Sequence, residues 1–495
     1  MRGVKAKSAP LLIDSPKVIR MFFQRFYDTP LAQASYMVGC QRTGEAIVVD
    51  PNRDVAQYID TAAKEGLRIT HVTETHIHAD FVSGSRELAA RTDAQLLLSN
   101  EGDADWKYAF AAADGARLLN DGDHVMVGNI RLDVMHTPGH TPEHISFLIT
   151  DTPAASGPWG ILTGDFVFVG DVGRPDLLEK AAGHVGTMEA AAHILFASVR
   201  RFRALPDHLQ VWPGHGAGSA CGKALGAISS STVGYEKMAN WGVATLDEDE
   251  FVRTVLDGQP EPPKYFAHMK RINKEGPPVL GAFPHAAHAA ASSLEHVLNA
   301  GNIVVDIRAA ADFAMGHVPG TINIPLNGSF ITWAGWLLPY DRNVFLLVDD
   351  DCQGCARTAV RDLAMIGLDR IAGAFASDSI TAWSDSGHTL ETTTQRTAAE
   401  VAHMIERGEV HVIDVRGHVE WDTGHLPGVS NIPLGYLAER IGEIAMDKSV
   451  VVHCQGGSRS AIAASVLQAH GVHNVINLVG GINAWKHAGL PVVSS

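Results

Sequence analysis

The chain has 495 residues, too many for one ordinary domain, and its length points to about three. Hydrophobic residues make up 46% and charged residues 19%, which supplies several apolar cores and excludes a disordered or collagen-like chain. With 39 basic against 55 acidic residues the formal charge is −16, the wrong sign for binding nucleic acid or an anionic membrane. No apolar run reaches the roughly 18 to 20 residues that cross a bilayer, and no secretory h-region opens the chain, so the sequence reads as cytoplasmic. Residues 1–20 hold five basic residues and one acid, Asp14; the expectation is a disordered tail, with an organellar presequence as the alternative. Five scattered cysteines are too few for a disulfide framework, whereas 25 histidines invite a search for a metal site.

In chain order, Ile69–Thr75 alternates β-branched residues as a strand does and runs directly into His76-Ile77-His78-Ala79-Asp80-Phe81. Three later segments repeat the arrangement: Leu132–Pro138 before Gly139-His140-Thr141, Trp159–Thr163 before Gly164-Asp165, and Leu209–Pro213 before Gly214-His215-Gly216. Each predicted strand ends in a turn that offers an imidazole or carboxylate, and the adjacent glycines let backbone approach an ion closely. His71, His136 and His144 fit no such slot and read as packed or solvated histidines. Past Asp165 comes Asp171-Val172-Gly173-Arg174-Pro175-Asp176. There Arg174 can grip a substrate carboxylate or pair with Asp176 or Asp171 inside its own loop. Cys221 follows His215 by six residues, as a candidate sulfur relay or a buried inert thiol.

These junctions resemble the metallo-β-lactamase superfamily over about residues 20–260, which implies an αββα sandwich with its metal at the edge of two sheets. Dinuclear hydrolases of that superfamily carry His-x-His-x-Asp-His; here the last position is Phe81, which has no ligating lone pair, so a mononuclear centre is expected. Resemblance to the superfamily's persulfide dioxygenases implies one Fe(II) per chain, held by His76, His140 and Asp165 with positions open for a substrate thiolate and O2. His78, Asp80 and His215 then orient those ligands or bound water. The Gly173–Asp176 segment is similar to the Gly-Arg-x-Asp segment of this branch and of related thioester hydrolases, and it makes Arg174 the substrate-binding candidate.

Gly258–Pro263 and Gly276-Pro277-Pro278 predict extended connections and a linker near 262–285. Beyond it the sequence repeats. Asp306-Ile307-Arg308, Gly316–Gly320 and Asn323-Ile324-Pro325 recur as Asp414-Val415-Arg416, Gly424–Gly428 and Asn431-Ile432-Pro433, a shift from 306 to 414, or 108 residues. Cys352-Gln353-Gly354 and Arg357 recur as Cys454-Gln455-Gly456 and Arg459, at the shorter shift of 102 between 352 and 454. Within each copy β-rich runs alternate with helical stretches, which predicts a small doubly wound parallel α/β domain. In the second copy Val450–His453 ends at Cys454, followed by Gln455, Gly456, Gly457, Ser458, Arg459 and a helix. Loop N–H groups, a helix N-terminus and the Arg459 guanidinium are the groups that stabilise a thiolate and the terminal sulfur of a persulfide.

With Gly480–Trp485, these motifs resemble the rhodanese sulfurtransferase domain over residues 393–495. Cys454 and Arg459 become the catalytic pair, and Gln455, Gly456, Gly457 and Ser458 the substrate cradle. Tyrosine phosphatases place five residues between the corresponding Cys and Arg; four here favour sulfur over phosphoryl. Asp414 and Arg416 read as fold-defining. In the first copy Arg357 puts Cys352 in the catalytic slot, yet Asp349-Asp350-Asp351 disfavour a thiolate there. Aligning strand and loop together needs a two-residue insertion, so this copy reads as an inactive, structural domain. Cys352 is thus a second relay candidate, and Cys352-x-x-Cys355 offers a redox pair or metal clip, a motif common by chance outside a thioredoxin-like context.

The reading is an α/β multidomain chain: a tail (1–20), a metallo-β-lactamase-like metal domain (21–262), an inactive rhodanese-like domain (285–392) and a rhodanese domain with an active cysteine (393–495). That order resembles the fused persulfide dioxygenase and sulfurtransferase proteins of bacterial sulfide detoxification. The resemblance implies a small thiol persulfide, O2 and sulfite or thiosulfate as partners; the acidic charge argues against nucleic acid and membrane, and the linked domains lead to the expectation of a homo-oligomer. The rival reading is a zinc thioester hydrolase of the glyoxalase II type with a sulfurtransferase appendage, against which Phe81 and Cys454 both count.

Overall fold

In the computed structural model, which describes residues 21–180, 186–223 and 225–494, the four strand-to-turn junctions fall at one edge of a two-sheet sandwich. The N-terminal tail lies outside the described residues. The first sheet runs in chain order: β1 (Met21–Asp28), β2 (Gln33–Cys40), β3 (Glu45–Val49), β4 (Arg68–Thr73), β5 (Gln95–Ser99) and β6 (Arg117–Leu119). β1, β2 and β3 pair antiparallel, whereas β3 to β6 are parallel, because helices Ala56–Glu65 and Ser85–Thr92 carry the chain back over one face. The second sheet comprises β7 (His124–Val127), β8 (Ile130–His136), β9 (Ile145–Asp151), β10 (Gly160–Gly164), β11 (Gln210–Pro213) and β12 (Ser231–Thr232), in the order β12-β11-β10-β9-β8-β7.

Alternation along these strands builds three apolar layers. Tyr36, Val38, Ile47, Val49, Leu132 and Phe147 fill the space between the sheets. Residues of opposite parity, such as Val48 and Leu98, meet Tyr58, Ala62 and Leu88 of the first sheet's helices. Ile161 and Val211 of the second sheet meet Leu195 and Val199 of helix Met188–Arg203. Helices therefore cover both outer faces of paired sheets, the αββα arrangement, and the strand ends at the open edge are free to carry ligands.

The second half holds two parallel sheets. The first is ordered β14-β13-β15-β16, from β13 (Ile303–Asp306), β14 (Ile322–Asn323), β15 (Val344–Val348) and β16 (Ile371–Ala376). The second is ordered β17-β21-β20-β18-β19, from β17 (Thr394–Arg396), β18 (Val410–Asp414), β19 (Ser430–Asn431), β20 (Ser449–His453) and β21 (Val475–Leu478).

Two expectations change here. The segment expected as extended linker contains an 11-residue helix, Tyr265–Glu275. Its Tyr265, Phe266 and Met269 bury against Phe81 and Val82 and against the first repeat copy, and that burial outweighs the flanking Gly and Pro signals. The repeat alignment also shifts. Asp306 pairs with Leu347 where Asp414 pairs with His453, so the ladder places Val348, not Cys352 or Asp350, at the position of Cys454. Each loop then ends on a left-handed glycine that caps a helix, Gly354 (φ 88°) before Cys355–Met365 and Gly457 (φ 105°) before Ser458–Ala469. Residues 349–353 intervene in the first copy and 455–456 in the second, an insertion of three residues rather than two.

The first copy docks on the metal domain beside its ligand turn. The N–H of Val82 donates to Met365 O at 2.7 Å, and Arg53 donates to Ala364 O (2.9 Å) and Asp369 (2.7 Å). Arg361 bridges Asp28, Asp54 and Asp362. Between the two copies, the N–H of Asn323 donates to Ser465 Oγ at 3.0 Å.

Candidate metal centre and cysteine loop

The side chains of His76, His140 and Asp165, from the ends of β4, β8 and β10, converge with one ligand atom each inside a 4.8 Å cluster. His76 Nε2 and His140 Nε2 lie 3.9 and 3.7 Å from Asp165 Oδ2. The opposite ring nitrogens are already engaged: His76 Nδ1 with Thr75 Oγ1 (3.0 Å), and His140 Nδ1 with the Arg174 carbonyl (3.1 Å). Engagement at Nδ1 turns each Nε2 lone pair inward. Burial, and then the neighbouring imidazole His78, hold His76 far below the ordinary imidazole range; burial, and then Lys270, push His140 down to about 3. Both rings are therefore neutral, the form that binds metal. Burial raises the Asp165 carboxyl, which lies against the Cys221 thiol and 3.4 Å from His215 Nε2. A buried carboxylate facing two neutral imidazoles fits a divalent first-row metal.

The remaining residues of the tract divide. His78 faces away toward Asp50, 3.2 Å off; against the opposing effect of burial, that carboxylate, with Glu74 and Asp80, raises it to about 9. Phe81 is fully buried, with its ring centroid 4.5 Å from that of His78. His215 stands 3.3 Å from Asp80 and 3.4 Å from Asp165, and its Nδ1 bonds Ala32 O at 3.0 Å. Asp80, His215 and Cys221 form a second ligand-type cluster, so Cys221 lies at the centre. Burial and two acids, Asp80 and Asp165, keep it a thiol. His144 is structural, with Nε2 accepting from the Asp165 N–H at 3.1 Å.

The Arg174 guanidinium is turned into its own loop. It is wholly buried: Nε and Nη2 take both Asp176 oxygens (3.0 and 2.8 Å), and the terminal nitrogens also donate to Ala220 O and Pro260 O. The guanidinium braces the loop whose carbonyl orients His140 and the backbone just before Cys221.

Sequence reasoning misses the contribution of helix Tyr265–Glu275. Buried Asn273 donates to His78 O (2.8 Å) and Phe81 O (2.7 Å) and accepts from the Ser83 N–H (2.9 Å), clamping the ligand turn from outside. Lys270 of the same helix is buried over the Trp106 ring, its Nζ 3.8 Å from the centroid, and desolvation lowers its pKa. Asp50, also unanticipated, accepts from the Thr75 N–H at 2.6 Å and holds His78 aside. None of these residues carries a local motif.

In the second copy Cys454 is buried at the end of β20, and its Sγ accepts from the Gly457 N–H at 3.1 Å. Both terminal nitrogens of Arg459 bond Glu420, at 2.5 and 2.7 Å, and the guanidinium also feels the charge of Cys454, while the direct donor to the sulfur is backbone. Gln455 is held by Asn483 at 2.5 Å. Gly456, Gly457 and Ser458 line a cleft of about 780 Å³ whose far wall, Ile307 to Ser329, belongs to the first copy. A Cβ on Gly481 would meet Cys454 O at 2.2 Å, so that position admits glycine alone.

Comparison with known proteins agrees with this architecture. The Metallo-beta-lactamase superfamily matches residues 28–215, and the Rhodanese-like domain matches 290–385 and 397–488. A metallo-beta-lactamase structure from Staphylococcus aureus subsp. aureus COL is 45% identical, with a TM-score of 0.66, and covers 72% of this chain and 99% of its own. The chain belongs to the metallo-beta-lactamase superfamily and carries two C-terminal rhodanese-like domains. Among curated relatives, the mitochondrial persulfide dioxygenase ETHE1 of Bos taurus is 26% identical over 240 residues, 48% of this chain and 80% of that protein. The hydroxyacylglutathione hydrolase of Rhodospirillum rubrum is 33% identical over 181 residues, 36% of this chain. The chain spans 60% of that hydrolase's length.

Proposed function

We propose that the chain is a non-haem iron persulfide dioxygenase coupled to rhodanese sulfur transfer, acting on low-molecular-weight persulfides in the cytoplasm. The observation that carries this reading is the convergence of two histidines and one carboxylate, His76, His140 and Asp165, while His78 is turned to Asp50 and Phe81 occupies the last ligand position of the tract. Iron(II) held by His76, His140 and Asp165 would supply open positions at which a persulfide sulfur and O2 react to give sulfite.

The protein's own part is to hold neutral Nε2 donors in place through Thr75 and the Arg174 carbonyl, and to line the site with buried Phe81 and Phe168. At the second centre, Cys454 would carry a sulfane sulfur with the Gly457 N–H directed at its Sγ. Attack by sulfite on that outer sulfur forms an S–S bond, breaks the bond to Cys454 Sγ and releases thiosulfate and the Cys454 thiolate. Cys221 is close enough to the metal cluster to relay sulfur to or from it.

The second reading, a zinc thioester hydrolase, draws on the hydroxyacylglutathione hydrolase relatives and on the Asp80, His215 and Cys221 cluster, which could hold a second ion. Anaerobic purification, metal analysis and an oxygen electrode with glutathione persulfide separate the two. One iron per chain with O2 uptake supports the dioxygenase; stoichiometric zinc, no uptake and thioester cleavage would overturn it.

A further inference from the structure

We propose that Cys352 and Cys355 form a redox-active disulfide that exchanges with low-molecular-weight thiols, a site separate from the metal centre and from Cys454. The two residues are bonded to each other, with Cα atoms 5.6 Å apart, while the other three cysteines are buried and free. Their loop is the three-residue insertion that distinguishes the first copy from the second. The ladder gives the rhodanese cysteine position to Val348, so the inserted segment does not restore a sulfurtransferase cradle. What it adds is a second sulfur beside Cys355.

The two sulfurs are not equivalent. Cys352 is exposed and open to attack. Cys355 is half-buried and is the first residue of the 11-residue helix Cys355–Met365, capped by left-handed Gly354. A thiolate leaving from Cys355 is stabilised there by the positive end of the helix dipole. Attack therefore runs in one direction. A small thiolate RS⁻ attacks Cys352 Sγ, forming RS–S–Cys352 and breaking the Cys352–Cys355 bond, and Cys355 departs as thiolate. A second RS⁻ attacks the R sulfur of that mixed disulfide, releasing Cys352 thiolate and RSSR. The two small thiols are oxidised and the protein pair is reduced, two electrons in all. Asp349, Asp350 and Asp351, all exposed beside Cys352, favour neutral or cationic thiols over anionic ones. None of this depends on which metal the N-terminal half holds.

The test uses the intact chain, equilibrated anaerobically in glutathione buffers from fully reduced to fully oxidised, acid-quenched, alkylated and digested with trypsin. Both cysteines fall in one peptide, Asn343–Arg357, between Arg342 and Arg357. The expected result is a reversible change from two alkyl groups to none across the series, with the singly alkylated form never dominant. In Cys352→Ser the expected result is one glutathione on Cys355 in oxidised buffer. Cysteamine, a cationic thiol, should reduce the pair faster than glutathione at equal thiolate concentration. The proposal is overturned if the peptide carries two alkyl groups in every buffer, if the disulfide persists in the native protein under excess thiol, or if the reduced pair retains stoichiometric zinc.

Discussion

Replacing Asn273 by alanine tests whether the linker helix is part of the metal centre. The substitution removes two hydrogen bonds donated to His78 O and Phe81 O and one accepted from the Ser83 N–H, all in a buried setting. At about 1 kcal/mol net for each, and more where a buried group is left unpaired, the expected loss is about 3 to 5 kcal/mol. Because the clamped residues lie in the ligand turn itself, metal affinity should fall roughly 10- to 100-fold, as it does when groups that orient ligands are removed elsewhere. Urea unfolding of the apo chain gives the first quantity and anaerobic metal titration the second. Asn273→Asp keeps an acceptor for Ser83 but turns a carboxylate toward two carbonyl oxygens, so it should not rescue affinity. Metal affinity unchanged in Asn273→Ala would refute the clamp, even with stability lost, because the helix would then be mere packing.

Arg361→Ala removes the guanidinium shared by Asp28 and Asp54 and leaves Asp28, 2% exposed, with an uncompensated charge; a loss of about 3 to 5 kcal/mol in thermal or urea unfolding is expected, and a loss below about 1 kcal/mol would dismiss the pair as an anchor. Phe81→His restores the residue type of dinuclear hydrolases and should raise zinc bound per chain in metal analysis; an unchanged count would show that Asp50 and His78, not Phe81, block the second site. The Glu420 carboxyl is held below its ordinary value: burial opposes this, but the Arg459 hydrogen bonds outweigh it. A carboxylate depressed in the folded state contributes stability above its unfolded pKa and loses it as pH falls through the folded one. Unfolding below about pH 4.5 should accordingly show an acid-dependent loss that Glu420→Gln lacks, and identical acid limbs would count against the ion pair.

His76, His140 and Asp165 are legible in the sequence because a metal centre at strand ends leaves local marks, a β-branched run followed by a glycine turn and a ligand. The same is true of Cys454, whose loop, glycine and helix are contiguous. Arg174 looks alike in both of its readings until its donors are counted in space, where Asp176, Ala220 and Pro260 use them. The slot opposite Cys454 is ambiguous in sequence for a related reason. A sequence repeat aligns on identical letters, and Arg357 draws Cys352 into the slot, whereas the fold aligns on ladder hydrogen bonds, which give it to Val348.

Asn273, Asp50 and Met365 mark the other limit. Each acts through one to three bonds to backbone distant in sequence, at a cost in pattern of nothing at all, and 192 positions separate Asn273 from Phe81. What the sequence conceals is thus the contact between domains. Val82 and Met365 join the ligand turn to the first rhodanese-like copy, which thus packs beside the metal turn on one side and forms the far wall of the cleft lined by Gly456, Gly457 and Ser458 on the other.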